Sequence, residues 1–370
     1  MRRLAIYLTT ALVVLAVLAL AVAGCGEAQG AAQAGPTTPQ GILTQAMTSA
    51  TPAANATGQF DISLAANGDP ATMPAQAKML LSQPITVTGT FSGSQDPMAA
   101  ELQLTAALAG QNIPLGMKMT GGKAWMQFMG QWYEMPAEMM STMSTATTMP
   151  QTTKDSLIQA FKTAGIDPLT WISGLALVGE DDLGGTKTYH LTGNVDVNKI
   201  MADFAKIAQD KDLQQAMKKA MPGLGAMSGI TGMMGSTGIT GASGSTGSTE
   251  TPVSLPTGAD LQTMQKELGS MFQTLTVDVW ITKDGYQLRQ AAINAKVVPP
   301  AGEDAQGIKD ITLKMNVSMA PASAPVAVTP PADAKPFSDL EKAFTGLQTL
   351  FSGMFGGAGT APSTTITTAQ

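Results

Sequence analysis

The chain has 370 residues, and its 21 basic and 27 acidic side chains give a net charge of −6. A mildly acidic chain is poorly suited to bind nucleic acid, so we expect no nucleic-acid partner. One histidine, His190, and one cysteine, Cys25, are present, which excludes His-rich metal sites and leaves a single candidate base for a Ser-His-Asp arrangement. We therefore predict a protein that is not an enzyme and uses no metal or cofactor.

The N-terminus has the layout of a secretory signal. Arg2 and Arg3 precede a long aliphatic run, and small residues follow it. An uncleaved membrane anchor is the alternative, since about 20 apolar residues can span a bilayer. The strictly apolar part, Ala11 to Ala23, has only 13 residues and favours a signal peptide over residues 1–24.

The end of this signal matches a bacterial lipobox, formed by Val22, Ala23, Gly24 and Cys25. In a lipobox the cysteine thiol takes a diacylglyceryl group, and cleavage then falls before the cysteine. Two or more acyl chains hold a protein firmly in a membrane, at about 0.8 kcal/mol per buried CH2. The sequence thus predicts a lipid-anchored protein on the extracytoplasmic face of a bacterial cell membrane, with Cys25 unavailable for a disulfide.

After a flexible tether over residues 25–40, the hydrophobic period changes from helical to two. Residues 42–47 have helical spacing, and the following apolar residues alternate as in strands that have one apolar face. We predict six strands in meander order, carrying these alternating segments: 60–64, 85–91, 100–108, 113–119, 123–129 and 132–135.

The second half of the chain predicts more strands and further helices, at 155–164, from Asp167, from Asp196 and at 258–271. Asp167 and Asp196 are predicted helix N-caps, and a hairpin joins 175–180 to 187–194. Alternation returns at 275–281, 291–297 and 311–319, with a two-residue hairpin at Asp284-Gly285 and a Pro-rich segment that ends the sheet. His190 is assigned a surface or structural role.

Two segments lie outside this pattern. Residues 222–257 are rich in Gly, Ser and Thr, and they interrupt the predicted 41–320 domain as a disordered insertion or, alternatively, a partner-binding strip. An amphipathic helix is predicted at 337–355, followed by a disordered tail at 356–370.

The predicted fold is α+β, a curved antiparallel half-barrel sheet of about ten strands with helices covering its concave face. That face is either filled by the helices as an ordinary core or partly open as a cavity. Its Ala, Leu and Met side chains favour adaptable apolar contacts, which suit acyl chains. The candidate cavity residues are Leu102, Leu104, Met117, Met119, Met126, Phe128, Val277, Val279, Ile281, Leu313 and Met315.

Three short motifs, together with the lipobox, carry a family resemblance. They are Gly121-Gly122-Lys123-Ala124-Trp125 with Gly130-Gln131-Trp132, then Val178-Gly179-Glu180 with Lys187-Thr188-Tyr189-His190, then Val279-Trp280-Ile281 with Asp284-Gly285-Tyr286. In this order the chain resembles the LppX/LprG family of cell-envelope lipoproteins, whose fold is similar to the LolA and LolB carriers. The resemblance implies a half-barrel whose hydrophobic cavity holds lipid tails.

Two function classes follow. The first is a membrane-anchored protein that binds or transfers lipid or glycolipid acyl chains, passing them to an envelope transport partner. The second is a surface lipoprotein with a filled core that acts as a non-catalytic interaction module.

Overall fold

A computed structural model describes residues 36–49, 53–69, 71, 78, 83–108, 110–137, 161, 163–209, 269–299 and 307–340. The predicted signal peptide, Cys25, the 222–257 insertion and most of the predicted 337–355 helix lie outside the described residues. Residues 337–340 are helical and lie at the start of that last element.

Twelve strands form the sheet, and they coincide with the segments in which apolar residues alternate. In chain order they are β1 Asn55–Gly68, β2 Ile85–Gln95, β3 Met98–Leu108, β4 Gln111–Thr120, β5 Lys123–Phe128, β6 Gln131–Glu134, β7 Ile172–Leu183, β8 Thr186–Val195, β9 Phe272–Thr282, β10 Leu288–Val297, β11 Ile308–Pro321 and β12 Lys335–Pro336. Two α-helices, α1 Pro39–Ser49 and α2 Val197–Gln209, and a 3-10 helix, Pro168–Trp171, accompany them among the described residues.

The strands lie side by side in the order β12-β6-β5-β4-β3-β2-β1-β11-β10-β9-β8-β7. Two antiparallel meanders therefore meet where β1 pairs with β11, with Phe60 opposite Val317 and Ile62 opposite Met315. The result is an open, curled and almost entirely antiparallel sheet with few helices. The predicted α+β half-barrel is confirmed, with twelve strands in place of about ten.

Two local predictions were wrong. The connection after β9 is a five-residue turn, in which the Thr282 N–H donates to the Gln287 carbonyl and Tyr286 takes a positive φ of 54°. The Pro-rich segment also does not end the sheet, because Lys335 and Pro336 pair in parallel with Tyr133 and Glu134 of β6. On the way there, the Thr329 carbonyl accepts a hydrogen bond from Lys118 Nζ at 3.2 Å.

Both predicted N-caps are present. The Asp167 carboxylate accepts a hydrogen bond from the Leu169 N–H at 3.0 Å, and Asp196 accepts one from the Lys199 N–H at 3.0 Å. Each bond satisfies a backbone donor that the first turn of a helix leaves unpaired. The caps fix the 3-10 helix and α2 side by side at the open end of the β7–β8 hairpin, where Ile172 pairs with Val195.

The main hydrophobic core lies between the helices and the β8–β11 part of the sheet. Ile42 of α1 and Ile200 of α2 are almost fully buried with Leu191 of β8 and Ile281 of β9. Because α1 and α2 contribute apolar side chains to the same cluster as these strands, they cover the apolar face of this half of the sheet.

A buried polar group holds α2 to the 3-10 helix. The Asp203 carboxylate, 1% exposed, accepts hydrogen bonds from Trp171 Nε1 at 2.8 Å and from Lys206 Nζ at 2.6 Å. Burial alone would raise the pKa of Asp203, but the hydrogen bonds from Lys206 and Trp171 outweigh it, so the pKa lies below its usual value. The ionised carboxylate is therefore the form that stabilises the fold.

We expect Asp203→Asn to lower the free energy of unfolding at pH 7 by about 1.5–3 kcal/mol, the range for hydrogen bonds to charged groups. Since the folded pKa is lowered, this stabilisation is present above the ordinary Asp pKa of about 4 and is lost as the pH falls through the folded value. Urea unfolding of both proteins between pH 7 and pH 3 should show the difference shrinking below pH 4. A difference that stays constant across this range would contradict the assignment.

Strand β7 forms one outer edge of the sheet. Among the described strands it pairs with β8 alone, and the pairing shifts register between Ser173 and Ala176 and again between Leu177 and Gly179. Its last part carries Glu180, Asp181 and Asp182 in succession.

Candidate functional site

The apolar face of the sheet consists of two halves that differ in how they are covered. Behind α1 and α2, the side chains of β8–β11 belong to the main core. We call the apolar side chains of β2–β6 the open half, because these half-buried residues belong to neither core cluster of the described residues. The sheet therefore has a filled half and an open half on one continuous face.

The strand register brings six of the predicted cavity residues together in the open half. Leu102 lies opposite Met117, which lies opposite Met126, and the next row along the strands places Leu104 opposite Leu115 and Phe128. Met119 continues the same face toward the end of β4. All six are half-buried: Leu102, Leu104, Met117, Met119, Met126 and Phe128.

The other five predicted residues lie elsewhere on this face. Val277, Val279, Ile281 and Leu313 are each no more than 6% exposed within the main core. Met315 is partly buried and packs against that core from β11, opposite Ile62 of β1. The structure thus assigns these five to the filled half or its boundary.

Two phenylalanines cover glycines beside the open half. A Cβ placed on Gly89 would lie 2.6 Å from Phe60 Cζ, so the Phe60 ring lies directly against the bare backbone of the next strand. In the same way the Phe91 ring lies over Gly58. These crossed contacts need glycine at both positions, and they add aromatic surface where β1 meets β2.

The far end of the open half is closed at β6, next to the edge strand β12. Tyr133 of β6, which pairs with Met126, is 7% exposed, and the adjoining Met135 is 6% exposed. The Met135 N–H donates to the Ala124 carbonyl, which extends the β5–β6 pairing by one residue. The open apolar surface therefore lies between the filled half on one side and this buried end on the other.

A cavity of about 550 Å³ lies on the opposite, polar face of the sheet. Of the predicted cavity residues, Leu104 alone is among those that line it. Alternation along each strand predicts which residues lie on the polar face. The cavity also depends on how separate strands are aligned, which the sequence does not show, and it was therefore not predicted. The residues around it are Gln59, Phe60, Asp61, Thr88, Gly89, Thr90, Gln103, Leu104, Thr105, Pro114, Leu115, Gln127, Asn316 and Ser318.

His190 has a structural place on the polar face, away from this cavity. Its imidazole stacks on the Trp280 ring with centroids 4.3 Å apart, and its two nitrogens lie 3.4 Å from Asp181 and 3.2 Å from Asp278. Trp280 Nε1 donates to the same Asp181 carboxylate at 2.7 Å. The group ties β7, β8 and β9 together, as expected for a structural histidine.

Across the described residues, none of the helices has the length and apolar character needed to cross a membrane. No group of three or more His, Cys, Asp or Glu side chains within that part of the chain is arranged to hold a metal ion.

No protein-family model and no curated protein matches the chain. Among solved structures, the lipoprotein LppX of Mycobacterium tuberculosis is 12% identical, with a TM-score of 0.32, over 79% of this chain and 98% of its own. LprF of Mycobacterium bovis is 10% identical, with a TM-score of 0.26, over 74% and 89% of the two chains. A putative outer membrane lipoprotein-sorting protein domain of Vibrio parahaemolyticus is 6% identical, with a TM-score of 0.16, over 73% and 86%. These three solved structures are similar to the chain at 12% sequence identity or less.

Proposed function

We propose that this chain is a lipid-anchored, extracytoplasmic bacterial lipoprotein that binds the acyl chains of a lipid or glycolipid on the open half. The observation that carries this proposal is the contrast between the two halves of one apolar face. The filled half is buried beneath helices, whereas the open half presents six half-buried apolar side chains in register.

The chemistry of the open half suits acyl chains. Its side chains are aliphatic, thioether or aromatic, so a ligand gains affinity from apolar burial and not from directional bonds. Met117, Met119 and Met126 are unbranched and can adjust to chains of different length and saturation. A contiguous apolar surface that is only half-buried often marks an interaction site.

Anchoring at Cys25, which the lipobox predicts, would serve the same role. Acyl chains on this cysteine would hold the folded domain near the bilayer, and the 25–40 tether would let it reach lipid there. Binding is non-covalent, and an envelope transport partner receives the lipid. The second candidate function is a non-catalytic interaction module with a filled core. The buried β8–β11 core fits both functions, and the two differ in whether the open half accepts a ligand.

The direct test uses residues 26–370, which lack the acylated cysteine. Native mass spectrometry and lipid extraction of the purified protein should reveal co-purifying lipid, and a fluorescent palmitate analogue should bind saturably. A lipid-free protein that also fails to take up the palmitate analogue would overturn the proposal and leave the interaction module.

Matched variants on β3 locate the site. We expect Leu102→Gln to weaken binding of the palmitate analogue by about tenfold, since the lost apolar contact corresponds to about 1.4 kcal/mol. Thr105→Gln, on the polar face of the same strand, serves as the control and should leave the affinity within twofold. Equal affinity of the two variants in fluorescence titrations would place the acyl site elsewhere.

A further inference from the structure

The cavity on the polar face is a trough bounded by two rows of aligned side chains. Cross-strand pairing from β11 to β5 defines the first, which we call the glutamine row: Ser318, Gln59, Thr90, Gln103, Gly116 and Gln127. The second, the threonine row, runs parallel to it from β11 to β4: Asn316, Asp61, Thr88, Thr105 and Pro114. All of these residues except Gly116 line the cavity.

The dimensions of the trough follow from the sheet. The rows are two residues apart along each strand, about 7 Å, and the glutamine row crosses six strands at about 4.8 Å spacing, or about 24 Å in all. Phe60, Gly89, Leu104 and Leu115 lie between the rows and also line the cavity, while the side chains of Phe60, Leu104 and Leu115 belong to the apolar face. Backbone therefore forms the floor and polar side chains form the walls. The space fits a narrow, extended ligand lying across the strands.

The walls offer hydrogen-bonding groups that have no partner among the described residues. Within the described residues, the side chains of seven lining residues make no hydrogen bond or ion pair: Gln59, Asp61, Thr88, Thr90, Thr105, Asn316 and Ser318. Amide and hydroxyl groups each both donate and accept. Hydroxyl groups of a ligand also both donate and accept hydrogen bonds. A ligand that is rich in hydroxyl groups can therefore bond to these side chains along the whole trough.

The charge of the trough disfavours anionic ligands. Asp61 is the single charged side chain among the fourteen residues that line it. On the same face Lys118 is paired with Glu101 at 3.5 Å, and Lys314 of β11 lies two residues from Asn316, outside the lining. A polyphosphate or polyuronate would meet one carboxylate and no cation among the lining residues, so the trough disfavours an anionic ligand.

An aromatic ring stands at one end of the glutamine row. Trp132 pairs with Gln127, and its ring lies over Gly116, where an added Cβ would come within 3.1 Å of Trp132 Cη2. Lys118 Nζ lies over the same ring, 5.2 Å from its centroid. Aromatic rings commonly provide a flat apolar platform beside polar groups, the combination that the two faces of a sugar ring require.

We propose that this trough binds a linear, uncharged oligosaccharide across the polar face, independently of the acyl site on the other face. The hydroxyl groups of the sugar bond to the glutamine and threonine rows, and the backbone floor sets the depth. The two sites together would let one molecule hold apolar chains on one face and carbohydrate on the other.

The test uses the full chain in a polyoxyethylene detergent, which contains no sugar. Isothermal titration calorimetry is run with cellohexaose, maltohexaose, mannohexaose and, as a charged comparison, hexagalacturonate. We expect at least one neutral hexasaccharide to bind and hexagalacturonate to bind at least tenfold more weakly than that one. No binding of any of the three neutral hexasaccharides, or equal binding of hexagalacturonate, would overturn the proposal.

Substitutions in the rows separate this site from the acyl site. Gln59→Leu and Thr88→Val remove unpartnered polar groups from exposed strand positions, and each should weaken the neutral sugar by about five- to tenfold. Thr274→Val, on the same face of β9 and outside the cavity, is the matched control and should change affinity less than twofold. Unchanged sugar affinity in both row variants would refute the site, while binding of the palmitate analogue should be the same in all three.

Discussion

Replacement of Leu191 by alanine is expected to lower the free energy of unfolding by about 2–5 kcal/mol, the range for a buried leucine in a packed core. Leu191 is fully buried at 0% exposure and belongs to the cluster that joins α1, α2 and the β8–β11 strands. Its removal leaves a cavity where the helices meet the sheet, and rigid strands on both sides limit how far the site can collapse.

The neighbouring strand provides a matched control. Leu177 pairs directly with Leu191 but is 40% exposed, because the register shifts in β7 alter the local alternation. Leu177→Ala should therefore cost no more than about 0.5 kcal/mol. Urea denaturation of both variants measures the difference. Equal destabilisation would show that the core does not extend beneath α1 and α2 as described.

Replacement of Cys25 by alanine is expected to abolish acylation completely and to leave an uncleaved precursor. The chain contains no second thiol, so no other residue can take the thioether-linked diacylglyceryl group. Incorporation of labelled palmitate in a bacterial host that processes lipoproteins measures the modification, and gel mobility measures the cleavage.

A conservative change in the lipobox serves as the control for this variant. Val22→Leu keeps an aliphatic residue at its position and should leave labelling and cleavage intact. Continued palmitate labelling of the Cys25→Ala protein would refute the anchor, and normal cleavage without labelling would indicate an ordinary secreted protein.

Much of the fold could be predicted because one face of each strand is apolar. Strand β4 contains an uninterrupted alternation of apolar residues: Ile113, Leu115, Met117 and Met119. Short turns connect β4 to β3 and β5, and these are its neighbours in the sheet. The helix starts at Asp167 and Asp196 could also be predicted, because an N-cap hydrogen bond joins a side chain to a backbone N–H only two or three residues later.

What could not be predicted depends on contacts between distant parts of the chain. Leu102 and Val279 show the same alternation, yet one is half-buried in the open half and the other is 2% exposed beneath the helices. Periodicity indicates which face a residue occupies and not what packs upon it. Strand β12 was missed for a related reason: two residues that include a proline carry no pattern, and they pair only because β6 offers a free edge.

The oligosaccharide trough shows the same limit in another form. Gln59 and Thr88 were visible in the sequence as the polar members of alternating strands, a pattern common to any solvated sheet face. The rows become apparent only once the register places residues of several strands in line.

The form of strand β7 also bears on how copies of this protein behave when they are concentrated together. An outer strand is a ready template on which a neighbouring chain can add its own strand, the first step toward aggregation. On β7 the ladder is broken twice, and the following three residues, Glu180, Asp181 and Asp182, are acidic. An incoming strand would meet an irregular backbone and an acidic run whose Glu180 and Asp182 are already paired with Lys283 and Lys187, so this edge is poorly suited to unwanted pairing.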